Sequence, residues 1–199
     1  MRTQKFSLTI LTLVALSLIT ISSNGIAQDR QFAAKGVTEI SGTVSFSRFT
    51  TVFRGETGDA ISIFTIAPQI GYFVTDGFEL GLGTGVSLIP GFSIISPEDG
   101  ESTSLLQLFL APSYNIKTND AKLYPFLEAQ LGYTSLSSGD DTESGFSYGG
   151  RAGLKIAAVE HFLVTLSAQY LLITLNESGD TDRNGFNYLM VGVGISGYF

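Results

Sequence analysis

The sequence predicts an all-β fold, an eight-stranded antiparallel up-and-down transmembrane β-barrel that follows a cleaved signal peptide. Three observations predict it. From residue 39 onward, apolar and polar residues alternate with the period of a β-strand. The face opposite the bulky apolar residues is rich in Gly, Ser, Ala, Thr and Gln and has few charges. Short and long connections alternate along the chain between these segments, as in transmembrane barrels.

The composition excludes several classes of protein. The 199 residues include no cysteine, which rules out disulfide scaffolds, thiolate metal sites, cysteine nucleophiles and lipid-anchored lipoproteins. The formal net charge is −7, whereas nucleic-acid binding requires an excess of Lys and Arg, so no nucleic-acid partner is expected. With 44% hydrophobic and only 15% charged residues, the chain also lacks the composition of a disordered protein.

Residues 1–27 are predicted to be a signal peptide, which leaves residues 28–199 as the barrel domain. Two basic residues precede an apolar run at 6–21, and Gly25 and Ala27 place small residues at positions −3 and −1 of a cut after Ala27. A permanent signal anchor is the alternative, but the run falls just short of the roughly 17 apolar residues that span a bilayer.

The first four predicted strands each place bulky apolar residues on one face. The first begins near Glu39, the second covers about 62–73, and the fourth covers about 106–116. The third begins at Phe78, after a tight turn at 75–77. The bulky faces consist of Ile40, Val44 and Phe46; Phe64, Ile66, Ile70 and Tyr72; Phe78, Leu80, Leu82, Val86 and Leu88; and Leu106, Leu108, Leu110, Tyr114 and Ile116.

The second half of the chain repeats this pattern in four further segments. Their bulky faces consist of Leu123, Leu127, Leu131 and Tyr133; Phe146, Tyr148, Ala152, Leu154 and Ile156; Val164, Leu166, Ala168, Tyr170 and Leu172; and Leu189, Val191, Val193, Ile195 and Phe199. Pro68 and Pro112 lack the backbone donor that a closed sheet requires, so we expect them at strand ends or in bulges.

The composition of the two faces predicts which one meets lipid. A soluble barrel carries charged residues over about a quarter or more of its surface, and the polar face here carries few. We therefore place the small polar face inside a narrow barrel and the bulky face against lipid. A closed barrel is the only sheet that pairs every backbone group within a bilayer. Aromatic residues near the strand ends fit the two interfaces: Tyr72, Phe78, Tyr114, Tyr133, Phe162, Tyr170 and Tyr198.

The connections place most of the charge at one rim of the predicted barrel. Short turns are predicted at 74–77, 117–122 and 159–161, and long loops at 48–60, 89–103, 135–145 and 173–185. The long loops contain eleven acidic and three basic residues. We expect these acidic loops to face outward from the cell and both ends of the mature chain to be periplasmic.

Four segments carry a resemblance to known barrels. They are Pro68-x-x-Gly71-Tyr72-Phe73-Val74-Thr75-Asp76-Gly77, Glu79-Leu80-Gly81-Leu82-Gly83, Tyr124-Pro125-Phe126 and the terminal Gly192-Val193-Gly194-Ile195-Ser196-Gly197-Tyr198-Phe199. From about Glu39 to Phe199 the chain resembles the small eight-stranded outer-membrane barrels of the OmpA-membrane-domain and opacity-protein type. The resemblance implies a location in the outer membrane of a Gram-negative bacterium, with outer-membrane lipids and lipopolysaccharide as surroundings. It also implies assembly by the barrel assembly machinery, which reads the final Phe199.

Five charged residues fall on the predicted interior face: Glu39, Glu79, Glu128, Arg151 and Lys155. Isolated charges in a narrow interior would cost several kcal/mol each, so we expect them to pair. Glu128 and Arg151 lie on neighbouring strands, and a register shift of a residue or two would bring them into contact. We interpret the cluster as a structural salt-bridge plug, because side chains just fill an eight-stranded barrel. A gate or ion path is the alternative.

Two further motifs give no cofactor or metal site. The alternating glycines at 81–85 lie within a strand, whereas a dinucleotide-binding loop needs a strand, a turn and a helix N-terminus. Asp180, Asp182 and Asn184 match the first half of a calcium loop, but Val191 stands where the bidentate Glu is required. We interpret this segment as an acidic turn and leave calcium binding open.

The single histidine, His161, falls in a predicted short periplasmic turn. A histidine-based triad of the kind that modifies lipid A would therefore face the wrong leaflet, and we predict no enzyme and no catalytic residue. The predicted role is non-catalytic, in envelope integrity or in surface interaction through the external loops, with an unknown ligand. Two alternatives are a secreted soluble lipocalin-like barrel that binds an apolar ligand, and a narrow outer-membrane channel.

Overall fold

The computed structural model describes residues 31–53, 56–89, 103–120, 122–138, 141–175 and 184–199. The predicted signal peptide lies outside the described residues, and so do Asp180 and Asp182 of the partial calcium loop.

Eight antiparallel strands form a closed barrel in which each strand pairs with its neighbours in sequence and the last pairs with the first. The strands are β1 (Thr38–Phe53), β2 (Glu56–Thr75), β3 (Phe78–Ile89), β4 (Thr103–Asn115), β5 (Leu123–Ser138), β6 (Asp141–Val159), β7 (Phe162–Leu175) and β8 (Asn184–Tyr198). The predicted eight-stranded up-and-down barrel is confirmed. No helix within the described ranges is long and apolar enough to cross a membrane.

Two of the predicted long loops are wrong because the strands continue through them. β1 and β2 remain paired through most of 48–60, and β5 and β6 remain paired through most of 135–145. Strands can pair through backbone hydrogen bonds without alternating apolar and polar residues. In both segments this alternation ends before the strand pairing does. We call the end of the barrel with these long hairpins the loop end, and the end with the turns at 76–77 and 160–161 the turn end.

The two strand prolines lie inside strands, so their predicted placement at strand ends or bulges is wrong. Pro68 is paired with β1, and the pairing of β2 with β3 lapses at residues 67–68 and resumes in the same register. Pro112 is paired with β3, and the pairing of β4 with β5 lapses at 111–112 in the same way. A local gap on one side of each strand accommodates the missing donor without a bulge.

The bulky face of the barrel is exposed and the small polar face is buried, as the sequence predicts. Leu108 and Leu127 are 55% and 62% exposed, whereas Gln69 and Gln130 are 8% and 2% exposed. Aromatic side chains flank this apolar belt at the turn end (Tyr72, Tyr114, Phe162) and toward the loop end (Phe46, Phe64, Tyr133, Phe146). An exposed apolar belt between aromatic girdles is the lipid-facing surface of a transmembrane barrel. The alternative of a soluble lipocalin-like barrel, which would bury its bulky face, is contradicted.

Residues 31–37 precede β1 and close the turn end; we call them the N-terminal cork. Phe32 is 1% exposed, and its ring meets those of Phe73 and Tyr124 edge-on, with centroids 5.3 and 4.8 Å away. The cork backbone is hydrogen-bonded to β2 and to the turn after it at N···O distances of 2.8–2.9 Å. Together these contacts make an apolar floor beneath the barrel interior.

Near the loop end the two faces exchange polarity. On β4 the outward Ser104 is exposed while the inward Leu105 is buried. On β5 and β7 the inward Leu136, Leu171 and Ile173 are likewise buried. An apolar inside and a polar outside are typical of a soluble barrel, so the strands extend past the lipid-facing belt at this end.

Candidate functional site

Inward positions of β1, β3, β5 and β6 bring the five predicted charged residues together inside the barrel. Glu39, Glu79, Glu128, Arg151 and Lys155 are all buried, at 2–8% exposure. They form two groups above the cork, one centred on Arg151 and the other on Lys155.

The first group is the pair of Arg151 and Glu128. The two residues lie directly opposite each other in the ladder of β5 and β6. No register shift is needed, and that part of the sequence prediction is wrong. Arg151 Nη2 lies 2.7 Å from Glu128 Oε2, which is the distance of a charge-assisted hydrogen bond.

Glutamine side chains add further hydrogen bonds to this pair. Gln69 accepts from Arg151 Nη2 at 3.1 Å and donates to Glu128 Oε2 at 3.2 Å. Gln130 donates to Glu128 Oε1 at 2.6 Å and accepts from Gln169 at 2.5 Å. Both oxygens of Glu128 are therefore hydrogen-bonded, which offsets part of the cost of burying the carboxylate.

The second group joins Glu39, Lys155 and Glu79; we call it the triad. Lys155 Nζ lies 2.6 Å from Glu39 Oε2 and 3.4 Å from Glu79 Oε2. Glu79 Oε2 also accepts hydrogen bonds from Ser113 Oγ at 3.0 Å and from Asn115 Nδ2 at 3.2 Å. The triad and the hydrogen bonds of Glu79 therefore link β1, β3, β4 and β6 through the interior.

Aromatic rings connect both groups to each other and to the cork. Lys155 Nζ lies 5.1 Å from the centroid of the Phe32 ring and 5.3 Å from that of Phe126. The guanidinium carbon of Arg151 lies 5.4 Å from the same Phe126 ring. These distances fit cation–π contacts, so Phe32 of the cork contacts the Lys155 ammonium group as well as the rings of Phe73 and Tyr124.

Inward glycines make room for the long side chains of the network. A Cβ added at Gly81 would lie 2.5 Å from Gln69 Nε2, and one added at Gly153 would lie 2.8 Å from Cε1 of Phe126, whose ring contacts Arg151 and Lys155. The alternating glycines thus thin the barrel wall, and β3 carries no turn-to-helix junction that could hold a dinucleotide.

The other predicted positions lie apart from the network. His161 occupies the turn between β6 and β7 with a φ of 63°, and its Nε2 lies 3.8 Å from Glu160 Oε1. Asn184 begins β8, and Phe199 follows its end. Within the described ranges, no three His, Cys, Asp or Glu residues are grouped so that they could hold a metal ion.

Sequence reasoning did not identify the cork or the polar residues that complete the network. Ser113 and Asn115 follow the inward parity of β4 and could have been found from the alternating pattern. Phe32 precedes the first segment of alternating apolar and polar residues, so the pattern does not indicate that its side chain is buried. Gln169 likewise follows the inward parity of β7, but nothing in the sequence pairs it with Gln130.

Solved outer-membrane barrels share this architecture. Neisserial surface protein A (NspA) superimposes with a TM-score of 0.66 at 13% identity, over 83% of this chain and 100% of that one. The outer membrane protein OprG from Pseudomonas aeruginosa gives 0.55 at 14% identity, over 86% and 99%. The N-terminal β-barrel domain of Pseudomonas aeruginosa OprF gives 0.50 at 21% identity, over 83% and 98%. No protein-family model matches the sequence, and no curated protein matches it. The fold is that of a small outer-membrane β-barrel.

Proposed function

We propose that this eight-stranded barrel of the outer membrane is closed to ions and solutes and acts through its surfaces, without catalysis. The observation that carries the proposal is the set of side chains that occupy the interior in the part of the chain that the structure describes. The cork closes the turn end, the two charged groups cross-link the middle, and inward leucines such as Leu105 and Leu136 fill the interior toward the loop end. Side chains fill an eight-stranded barrel in the same way when it holds no ligand.

A closed interior leaves the outside of the barrel for function. The lipid-facing belt supports contact with outer-membrane lipids and lipopolysaccharide, and the acidic connections support a role in surface interaction or envelope integrity. The proposal includes export by the signal peptide at 1–27 and recognition of Phe199 by the barrel assembly machinery. Deletion of Phe199 should lower the amount of heat-modifiable barrel recovered from outer membranes, and an unchanged amount would remove that part.

Conductance across a planar lipid bilayer tests the proposal. The full mature chain, shown to be folded by heat-modifiable gel migration, should give no steady conductance at any voltage that the bilayer tolerates. As a positive control, Phe32→Ala combined with Lys155→Ala removes the cork ring and one cross-link and should raise the conductance. A steady conductance of the unmodified barrel would contradict the proposal in favour of the narrow channel.

A further inference from the structure

The charges inside the barrel do not balance. Among the side chains that the structure describes, the buried charged groups are three carboxylates and two cations. Arg151 and Glu128 balance each other, and the glutamines around them use both carboxylate oxygens. The triad therefore holds two carboxylates against one ammonium group. An uncompensated charge in a buried site costs several kcal/mol, so a further positive charge is required there.

The two carboxylates of the triad differ in their hydrogen bonds. Glu79 Oε2 accepts hydrogen bonds from Ser113, Asn115 and Lys155. Glu39 accepts from Lys155 through Oε2, whereas its Oε1 is buried without a hydrogen-bond partner. The Oε2 atoms of both carboxylates bond the same Nζ and so lie no more than about 6 Å apart, a separation at which like charges oppose each other's ionisation.

A second buried atom without a partner lies beside Glu39. Ser196 Oγ is buried and accepts no hydrogen bond. Ser196 is opposite Ser41 in the ladder of β1 and β8, while Glu39 is opposite Tyr198, so the two inward side chains are diagonal neighbours. A serine hydroxyl can donate as well as accept, whereas a carboxylate oxygen donates only when it is protonated. A hydrogen bond from Ser196 to an ionised Glu39 would leave the triad with its excess negative charge, and a hydrogen bond from a protonated Glu39 to Ser196 would not.

We propose that Glu39 holds a proton on Oε1 and donates it to Ser196 Oγ, so that the triad is electrically neutral. The proton comes from the surrounding water when the barrel folds around the triad, and it satisfies Glu39 Oε1 and Ser196 Oγ with one hydrogen bond. The barrel interior is thus a proton-binding site, and binding of the proton is coupled to folding of the barrel.

The neighbouring groups leave this assignment in place. The titratable side chains around Glu39 are Glu79 of β3, Lys155 of β6, Tyr124 of β5 and Tyr198 of β8, with His161 in contact with Tyr198. β2 presents Gly71 opposite Glu39, and the next layer holds the balanced Arg151 and Glu128. Tyrosine carries no positive charge in either protonation state, the Lys155 ammonium group is already counted, and His161 lies in the turn with its Nε2 3.8 Å from Glu160 Oε1, so none of them supplies the extra positive charge.

Infrared spectroscopy of the full mature chain in lipid vesicles in D2O tests the proposal. At neutral pH the carboxylic-acid C=O band should be present in the unmodified protein, because exposed Asp and Glu are ionised there. Glu39→Gln should abolish the band, and Ser196→Ala should shift its frequency. Glu160→Gln removes an exposed carboxylate in the turn and should leave the band unchanged. Absence of the band from the unmodified protein, or its persistence in Glu39→Gln, would overturn the proposal.

The pH dependence of unfolding gives an independent test. The folded chain binds one more proton than the unfolded chain at neutral pH, so the urea midpoint should fall as the pH rises. Glu39→Gln should show a smaller slope, and Glu160→Gln the slope of the unmodified protein. Equal slopes in all three would overturn the proposal. A midpoint that rises with sodium chloride but not with choline chloride, without the infrared band, would replace the proton with a bound cation.

Discussion

At the residue scale, the buried charged side chains of the barrel stabilise the fold only when each is paired with an opposite charge. Arg151 and Glu128 are buried at a contact distance of 2.7 Å. Removing one member leaves a buried charge without its counter-ion, whereas removing both leaves none. The loss of either partner alone should therefore cost more free energy of unfolding than the loss of both together.

Arg151→Met should destabilise the barrel by about 3–5 kcal/mol, because the Glu128 carboxylate loses its counter-ion in a buried site. The double variant Arg151→Met/Glu128→Gln should recover part of that loss. Urea unfolding in lipid vesicles measures both, and the double-mutant cycle gives their coupling. Additive losses would show that the pair is not coupled.

Glycine at residue 153 provides a second test at this scale. A Cβ there would collide with a backbone carbonyl of β7, whereas a Cβ at Gly42 would meet nothing within 4 Å. Gly153→Ala should therefore cost about 1–3 kcal/mol through overpacking, and Gly42→Ala should stay within about 0.5 kcal/mol of the unmodified protein. The same unfolding measurement compares them, and equal effects would contradict the thin-wall interpretation.

The alternating pattern was enough to predict which charges face inward, but not which of them meet. Lys155 and Glu39 are 116 residues apart and lie on strands that do not pair. Their contact depends on the stagger of the strands around the closed barrel, which is set by the register of all eight ladders. No local feature of the sequence encodes that stagger.

At the scale of elements, the cork is a short segment with a large buried side chain. Phe32→Ala should destabilise the barrel by about 3–5 kcal/mol, the usual cost of truncating a buried Phe. Gln31 is exposed beside it, and Gln31→Ala should have an effect within about 0.5 kcal/mol. Urea midpoints of the two variants check this. Matching midpoints would show that residues 31–37 contribute little to the fold.

Asp76, in the turn between β2 and β3, binds the backbone of the cork through a hydrogen bond. The Lys35 backbone N–H donates to Asp76 Oδ1 at 2.8 Å, and Lys117 Nζ lies 3.7 Å from Oδ2. The backbone hydrogen bond first, and the Lys117 charge second, lower the pKa of Asp76 below its usual value. The carboxylate form therefore favours the bond at neutral pH, and the bond is lost as the pH falls through the lowered pKa.

The amide resonance of Lys35 reports this titration directly. In nuclear magnetic resonance spectra of the folded barrel, it should titrate at a lower pH than an ordinary aspartate, and Asp76→Asn should abolish the titration. A Lys35 resonance that titrates at the ordinary aspartate pH would contradict the fastened cork.

Strands were predictable from the sequence where one face meets lipid, and less so beyond the belt. Thr134 to Ser138 and Asp141 to Gly145 consist mostly of small polar residues, so the apolar period that marks a strand ends before the pairing does. The cork has seven residues without a period, and only the structure reveals the ring contacts of Phe32.

At the scale of the whole molecule, the barrel consists of two zones with opposite polarity. In the belt, apolar side chains such as Leu108 face outward over a polar interior. Toward the loop end, inward leucines lie behind outward serines such as Ser104. Which face of the strands is apolar depends on the surrounding medium, which is hydrocarbon around the belt and water around the loop end. The sequence predicts the first zone because its period is long and regular.

Spin labels attached to single cysteines test this arrangement most directly, because the chain contains no cysteine of its own. In lipid vesicles, a nitroxide at Leu108→Cys should be relaxed by oxygen, which dissolves in hydrocarbon. A nitroxide at Ser104→Cys, four residues away on the same face, should be relaxed by a water-soluble nickel complex. A label at Leu108→Cys that is relaxed by the nickel complex and shielded from oxygen would show that the bulky face does not meet lipid.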